Sequence, residues 1–138
     1  MVQISIDYTG QLHCSATHGP SKTELVTAAP LDNLGKGEAF SPTDLVATAL
    51  GTCIATTMGI VAQKHGIDLR GMTVNVTKEM ANDPRRIGRL TTEVRIPLRS
   101  DHPQRELLEK TGLGCPVHRS LPTEMERPTT FLWEGTVK

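Results

Sequence analysis

The sequence predicts an α+β fold in a single domain that spans residues 1–138. Short segments of alternating polar and apolar residues lie near both ends of the chain, and one long segment without charged residues lies between them. Alternation is typical of half-buried strands, whereas the uncharged segment has the length of a helix. The predicted order of elements is βββ-α-ββ-αα-β.

The first 28 residues have the pattern of a small antiparallel meander. Apolar residues alternate with polar ones over residues 2–8, and a Thr-Gly turn leads to a second strand over 11–18. Gly, Pro and Ser end that strand, and a third strand follows over 23–28. Residues 30–40 are rich in Pro, Gly and Asn, which predicts a long loop.

A helix is predicted to begin with Ser41 as its N-cap and Pro42 as its first residue. Asp44 stands three residues after the cap, where it completes a capping box. No charged residue occurs between Asp44 and Lys64, so the helix lacks a polar face and is expected to be buried nearly all round. A membrane span is the competing interpretation, but five threonines and two glycines dilute the segment and disfavour it.

The second half of the chain predicts a hairpin, two helices and a last strand. Two alternating segments, 72–80 and 87–98, flank a turn that contains Asn, Asp and Pro. A helix is predicted within 100–114, a second one over 116–121, and a final strand over 129–135.

The long helix also predicts an oligomer. A helix of ~24 residues is ~36 Å long, and one small antiparallel sheet covers only one side of it. A second copy of the chain is the simplest cover for the other side. We therefore expect a two-fold homodimer in which the central helices pack together.

Composition argues against two classes of partner. The 15 basic and 15 acidic residues cancel, so the chain has no general field to attract nucleic acid or an anionic membrane. Only four residues are aromatic, which leaves little for base stacking. The N-terminal residues lack the basic and apolar regions of a secretory signal, and we expect a cytoplasmic protein.

Three cysteines, Cys14, Cys53 and Cys115, are the candidate reactive groups. Their odd number and wide spacing do not match a secreted disulfide framework. Cys115 precedes Pro116 at the predicted start of a helix, where backbone N–H groups favour a thiolate. The alternative is that each cysteine is a small buried apolar residue, which is the common state of free cysteine.

Cys14 is interpreted as structural because it lies in a strand with no recognisable partner. His13 and His18 flank it, but neighbouring strand residues point to opposite faces of a sheet. We therefore predict no metal site.

The two remaining cysteines occur in a recognisable pair of segments, 41-SPTDLVATALGTC-53 and 115-CPVHRSL-121. Together they resemble the OsmC/Ohr family, which comprises osmotically induced protein C and the organic hydroperoxide resistance protein. The resemblance implies antiparallel sheets wrapped around long central helices in an intertwined homodimer, with active sites at the dimer interface.

The resemblance also implies a function and the residues that carry it. It makes Cys53 the peroxidatic thiol and Cys115 the resolving thiol of a cysteine-based peroxidase that reduces organic hydroperoxides in the oxidative stress response. An external thiol or dithiol would regenerate the enzyme, and no bound cofactor is expected.

The sequence departs from the hydroperoxide resistance proteins at the position after the helix-opening proline. A glutamate there pairs with an upstream arginine in those proteins, whereas this chain has Thr43 and no arginine before Arg70. Asp44 is accounted for by its capping role and lies on the opposite side of the helix from Cys53. Lys36 is the better substitute for the cation, although a solvated loop lysine is the simpler interpretation. The chain therefore resembles the broader OsmC-like branch.

His118 is a further supporting candidate because it follows Cys115 by three residues and shares its helix face. Its imidazole could accept a proton or stabilise a thiolate, and a surface histidine without a role is the alternative. Two other functions stay open. One is a dimer that binds a small apolar ligand or senses oxidant without efficient turnover. The other is a structural dimer with inert thiols.

Overall fold

The structure, a computed structural model, describes residues 1–135. The predicted order βββ-α-ββ-αα-β is confirmed, with one short 3-10 turn added at Leu31–Asn33. The elements are β1 (Ile4–Gly10), β2 (His13–His18), β3 (Glu24–Ala28), α1 (Pro42–Lys64), β4 (Thr73–Ala81), β5 (Arg86–Arg99), α2 (Arg105–Leu113), α3 (Pro116–Ser120) and β6 (Thr129–Glu134).

The chain divides into two compact units, of which the first is Met1–Val46. It contains an antiparallel sheet of order β1-β2-β3, as the meander predicts. The apolar row of β1 is not half-buried as its alternation suggests. Its large side chains, Ile4, Ile6 and Tyr8, are 60–66% exposed, and Val2, two residues before the strand, is 64% exposed.

The start of α1 has the predicted capping box. The Ser41 N–H donates to Asp44 Oδ2 at 2.9 Å, and the Asp44 N–H donates to Ser41 Oγ at 3.1 Å. Each side chain thus satisfies a backbone donor of the other, which fixes the first residue of the helix.

The expected burial of α1 on all sides is not found in the single chain. One face is buried, by Ala47, Leu50, Gly51, Ile54, Met58 and Ala62. The opposite face is exposed at Thr48, Thr52, Thr56 and Ile60. By length and composition α1 could cross a membrane, but the core helix of a soluble protein meets the same criterion, and one such helix is weak evidence.

The second unit begins at Ala47 and contains a mixed sheet of order β4-β5-β6. The strands β4 and β5 form the predicted antiparallel hairpin, and β6 pairs parallel to β5. α2 begins at Arg105, later than the start of the predicted segment, and ends at Gly114 as its C-cap. The buried core of this unit includes Leu50, Ile54 and Met58 of α1, Leu90, Val94 and Ile96 of β5, Leu108 of α2, and Trp133 of β6.

Two glycines allow α1 to pack closely within this unit. A Cβ atom at Gly51 would lie 2.9 Å from Val76 Cγ2 of β4, so the helix rests directly on the sheet. A Cβ atom at Gly112 of α2 would lie 3.0 Å from Met58 Sδ and 3.3 Å from Ile54 Cγ2. Helix α2 therefore approaches α1 more closely than a larger side chain would permit.

These contacts predict that alanine substitution changes the stability differently at two glycines of the same helix. Gly59→Ala should stabilise the protein by roughly 0.5–1 kcal/mol, since alanine favours helix and no atom lies within 4 Å of the new Cβ. Gly51→Ala should be less stable than Gly59→Ala by roughly 1–3 kcal/mol, because its Cβ overpacks against Val76. Urea unfolding at one protein concentration measures the difference, and equal stabilities would contradict the packing.

Candidate active site

Cys53 lies midway along α1 and is half-buried. Its neighbour Ile54 is fully buried in the core, so the thiol sits at the edge of the buried face of the helix. The Sγ atom lies 3.9 Å from the Oγ1 atom of Thr57, one helical turn further on. Cys53 is thus held by core packing on one side and retains access to solvent.

Cys115 is fully buried and is the N-cap of α3, as its position before Pro116 predicts. Its Sγ atom accepts a hydrogen bond from the His118 N–H at 3.4 Å. Its own N–H donates to the Gly112 carbonyl at 3.3 Å, and its carbonyl accepts from the Arg119 N–H at 3.1 Å. These bonds fix the sulfur at the junction of α2 and α3.

The structure brings Cys53 and Cys115 together, although 62 residues separate them in sequence (115 − 53). The two side chains lie close enough to interact, and both are free thiols. The approach of α2 to α1 at Gly112 explains the contact, because Cys115 follows three residues later. Proximity of two thiols is the first requirement for a disulfide between them.

The backbone N–H groups at the N-cap favour a thiolate at Cys115, as expected, but burial outweighs them. Burial raises the pKa of the Cys115 thiol, and its contact with Cys53 raises it further. The backbone N–H groups of His118 and Val117 act in the opposite direction but do not prevail. Cys115 is therefore a protonated thiol at neutral pH.

His118 lies beside this pair and is half-buried. Burial lowers the pKa of its imidazole, and the guanidinium of Arg127 lowers it further. His118 is consequently neutral at pH 7, so its side chain can accept a proton but does not supply a positive charge.

Arg127, which lies in the segment between α3 and β6, is a residue that sequence reasoning missed. Its Nη1 group donates to the carbonyls of Pro122 and Met125, at 2.5 and 3.2 Å. Its Nε atom is buried and has no hydrogen-bond partner in residues 1–135. No motif surrounds Arg127, and only the folding of this segment brings its charge near His118.

The other predicted supporting residues belong to the first unit, and their described contacts are local. The Thr43 hydroxyl lies 3.2 Å from Ser41 Oγ, and Asp44 completes the capping box. Lys36 is exposed and makes no hydrogen bond or ion pair in the described part of the chain. Cys14 is a half-buried free thiol on β2, paired with Tyr8 and Thr27 of the neighbouring strands.

A metal-bound site finds no support in the described residues. Within residues 1–135, no group of three His, Cys, Asp or Glu side chains is arranged to hold a metal ion.

The fold and the paired thiols define a dithiol protein of α+β architecture. The family model described as OsmC-like protein matches residues 35–126, which is more than half of the chain. The chain therefore belongs to the OsmC-like protein family.

Solved structures agree with this assignment. A protein of Psychrobacter arcticus, described as a candidate osmotic stress induced and detoxification response protein, is 40% identical over 95% of this chain and 96% of its own, with a TM-score of 0.89. An organic hydroperoxide resistance protein of Elizabethkingia anophelis shares the fold at 17% identity, with a TM-score of 0.77 over 97% of this chain and 96% of its own.

A third solved structure is the organic hydroperoxide resistance protein OsmC of Legionella pneumophila. It is 16% identical over 96% of each chain, with a TM-score of 0.75, and therefore supports the fold alone. A search among curated proteins gives no match.

The repulsion between the Arg127 guanidinium and a protonated His118 leads to a prediction about the pKa of His118. Arg127→Gln should raise the pKa of His118, because the imidazolium would no longer be repelled by the guanidinium. Arg119→Gln is the matched control, since Arg119 donates to the Gly114 carbonyl and does not contribute to the lowered pKa. NMR titration of the His118 ring measures both variants. An unchanged pKa in Arg127→Gln, or an equal rise in Arg119→Gln, would contradict this assignment.

Proposed function

We propose that the protein is a thiol-dependent peroxidase that reduces organic hydroperoxides through Cys53 and Cys115. The observation that carries the proposal is the contact between these two free thiols within one compact unit. Family membership supports it, because two fold neighbours are described as organic hydroperoxide resistance proteins.

The first step would be attack of the Cys53 thiolate on the peroxide. A bond forms between Cys53 Sγ and the terminal oxygen, and the O–O bond breaks. Sulfur is oxidised to sulfenic acid, the peroxide is reduced, and the alkoxide leaves as an alcohol after it takes up a proton. The half-exposed position of Cys53 supports its assignment as the attacking thiol, because a peroxide must reach the sulfur.

The second step would form a disulfide. The Cys115 sulfur attacks the Cys53 sulfenic acid, the S–O bond breaks, and water leaves with the proton released by the Cys115 thiol. The raised pKa of Cys115 supports its assignment as the resolving thiol, since a buried thiol is a poor competitor for the peroxide. The His118 backbone N–H donates to this sulfur, and the neutral imidazole of the same residue is a candidate to relay the released proton to the leaving water.

Regeneration would require a reductant from outside the protein. Two electrons from a thiol or dithiol would reduce the disulfide by exchange through a mixed disulfide. No bound cofactor takes part in this scheme. Attack would begin at Cys53, because its sulfur is the more exposed of the two.

The apolar surroundings of Cys53 support a preference for organic hydroperoxides. The helix carries no charged residue between Asp44 and Lys64, so the side chains that flank the thiol along α1 are all uncharged. An alkyl chain gains more than hydrogen peroxide from contact with such a surface. Equal turnover of hydrogen peroxide and cumene hydroperoxide would contradict this preference.

We further propose a cytoplasmic homodimer. Two exposed surfaces support it: the apolar row at Val2, Ile4, Ile6 and Tyr8, and the uncharged face of α1 formed by three threonines and Ile60. Monomeric proteins rarely leave rows of large apolar side chains uncovered, and a second copy would cover both. Light scattering should give twice the mass of one chain, and a monomer mass would contradict the dimer.

One observation favours a second candidate function. Thr43 stands where the hydroperoxide resistance proteins carry a glutamate, and its described contact is with the Ser41 hydroxyl of the helix cap. A chain without that group could sense an oxidant or bind an apolar ligand without efficient turnover. Multiple turnover with a thiol reductant separates this candidate from a peroxidase.

The test is oxidation of the reduced protein with one equivalent of tert-butyl hydroperoxide. We expect the wild type and Cys14→Ser to lose two thiols rapidly and to turn over when dithiothreitol is supplied. Cys53→Ser should not react, and Cys115→Ser should accumulate sulfenic acid at Cys53, detected by dimedone labelling. Thiols that stay reduced for hours would contradict the proposal, and a single oxidation without turnover would favour the sensor.

A further inference from the structure

Thr57 differs from three other hydroxyl residues in the helices. The hydroxyls of Thr52, Thr111 and Ser120 each donate to the carbonyl four residues earlier, at 2.7–2.9 Å. This is the usual bond of Ser and Thr within a helix. The Thr57 hydroxyl makes no such bond in the described chain, and its one hydrogen-bond contact is with the Cys53 sulfur.

The described surroundings of Cys53 contain few other donors. Within residues 1–135, its sulfur contacts the Thr57 hydroxyl and interacts with the Cys115 thiol. A thiol is a weak donor, whereas a hydroxyl is a good one. No arginine or lysine in the described chain forms a hydrogen bond with the Cys53 sulfur. The Thr57 hydroxyl is therefore the best-placed described donor for a hydrogen bond to a negatively charged Cys53 sulfur.

We propose that Thr57 is a catalytic residue whose hydroxyl donates a hydrogen bond to the Cys53 thiolate. This inference rests on the proposed peroxidase function and identifies a donor at the attacking sulfur. The residue touches the reacting atom, and it lies one helical turn away, so the backbone of α1 fixes their separation.

The physical basis is the difference between a thiol and a thiolate as acceptors. A separation of 3.9 Å between sulfur and oxygen is a weak contact for a neutral thiol. Hydrogen bonds to an ionised acceptor are shorter and roughly twice as strong, so the contact should tighten once the proton leaves. The hydroxyl keeps its own proton throughout. When the S–O bond forms and the O–O bond breaks, the same donor can bind the sulfenic oxygen.

The test uses the full-length chain with Cys14→Ser and Cys115→Ala, so that Cys53 is the one remaining thiol. Cys115 is the titratable group in contact with Cys53, and this background removes it, while His118 of α3 is retained. Thr57→Val removes the hydroxyl at nearly constant shape, Thr57→Ser retains it, and Thr56→Val is the matched control at the exposed neighbour. Circular dichroism verifies that each variant is folded.

Two rates are measured for each variant: iodoacetamide alkylation between pH 6 and 10, and sulfenic acid formation with tert-butyl hydroperoxide at pH 7. Thr57→Val should slow both about tenfold at pH 7, which corresponds to ~1.4 kcal/mol, and move the alkylation profile to higher pH. Thr57→Ser and Thr56→Val should stay within about twofold of the background protein.

The outcomes separate the two proposals. The role of Thr57 is overturned if Thr57→Val reacts with iodoacetamide as fast as Thr56→Val. It is also overturned if the two rates fall as far in Thr57→Ser as in Thr57→Val. If no variant reacts with peroxide but Thr57→Val still alkylates about tenfold more slowly, the hydrogen bond is supported and the peroxidase function fails.

Discussion

The close approach of α2 to α1 at Gly112 is the constraint on which the candidate site depends. A Cβ atom at this position would meet Met58 and Ile54, and Ile54 is the residue next to Cys53. Because α2 ends one residue later and α3 begins at Pro116, Cys115, the N-cap of α3, lies next to the middle of α1. The absence of a side chain at Gly112 thus permits the packing that places two sulfurs, far apart in sequence, close together.

The two sulfurs acquire different properties from this arrangement. Cys53 lies at the edge of the buried helix face, whereas Cys115 is fully enclosed, and its pKa is raised chiefly by that burial. The backbone donors at the start of α3 are too few to offset the loss of water around the thiol. Position in the core, rather than the helix end, therefore decides which thiol attacks and which one resolves in the proposed cycle.

Much of the fold could be predicted because local signals specify it. The capping box at Ser41 and Asp44 and the alternation of the strands are local, and the order of elements follows from them. The contact of the thiols depends on packing between residues 62 positions apart. It could therefore be predicted only from the resemblance of two segments to a family. The burial of Cys115, the charge of Arg127 and the orientation of Thr57 are tertiary properties that no spacing indicates.

The most direct test of this account is the connectivity of the disulfide formed by one equivalent of organic hydroperoxide. Chains with natural and with ¹⁵N-enriched nitrogen would be refolded together, oxidised, digested without reduction and analysed by mass spectrometry. We expect one linked pair, Cys53 with Cys115, in which both peptides carry the same isotope because the two thiols meet within one chain. Linked peptides of mixed isotope, or a bond to Cys14, would contradict it.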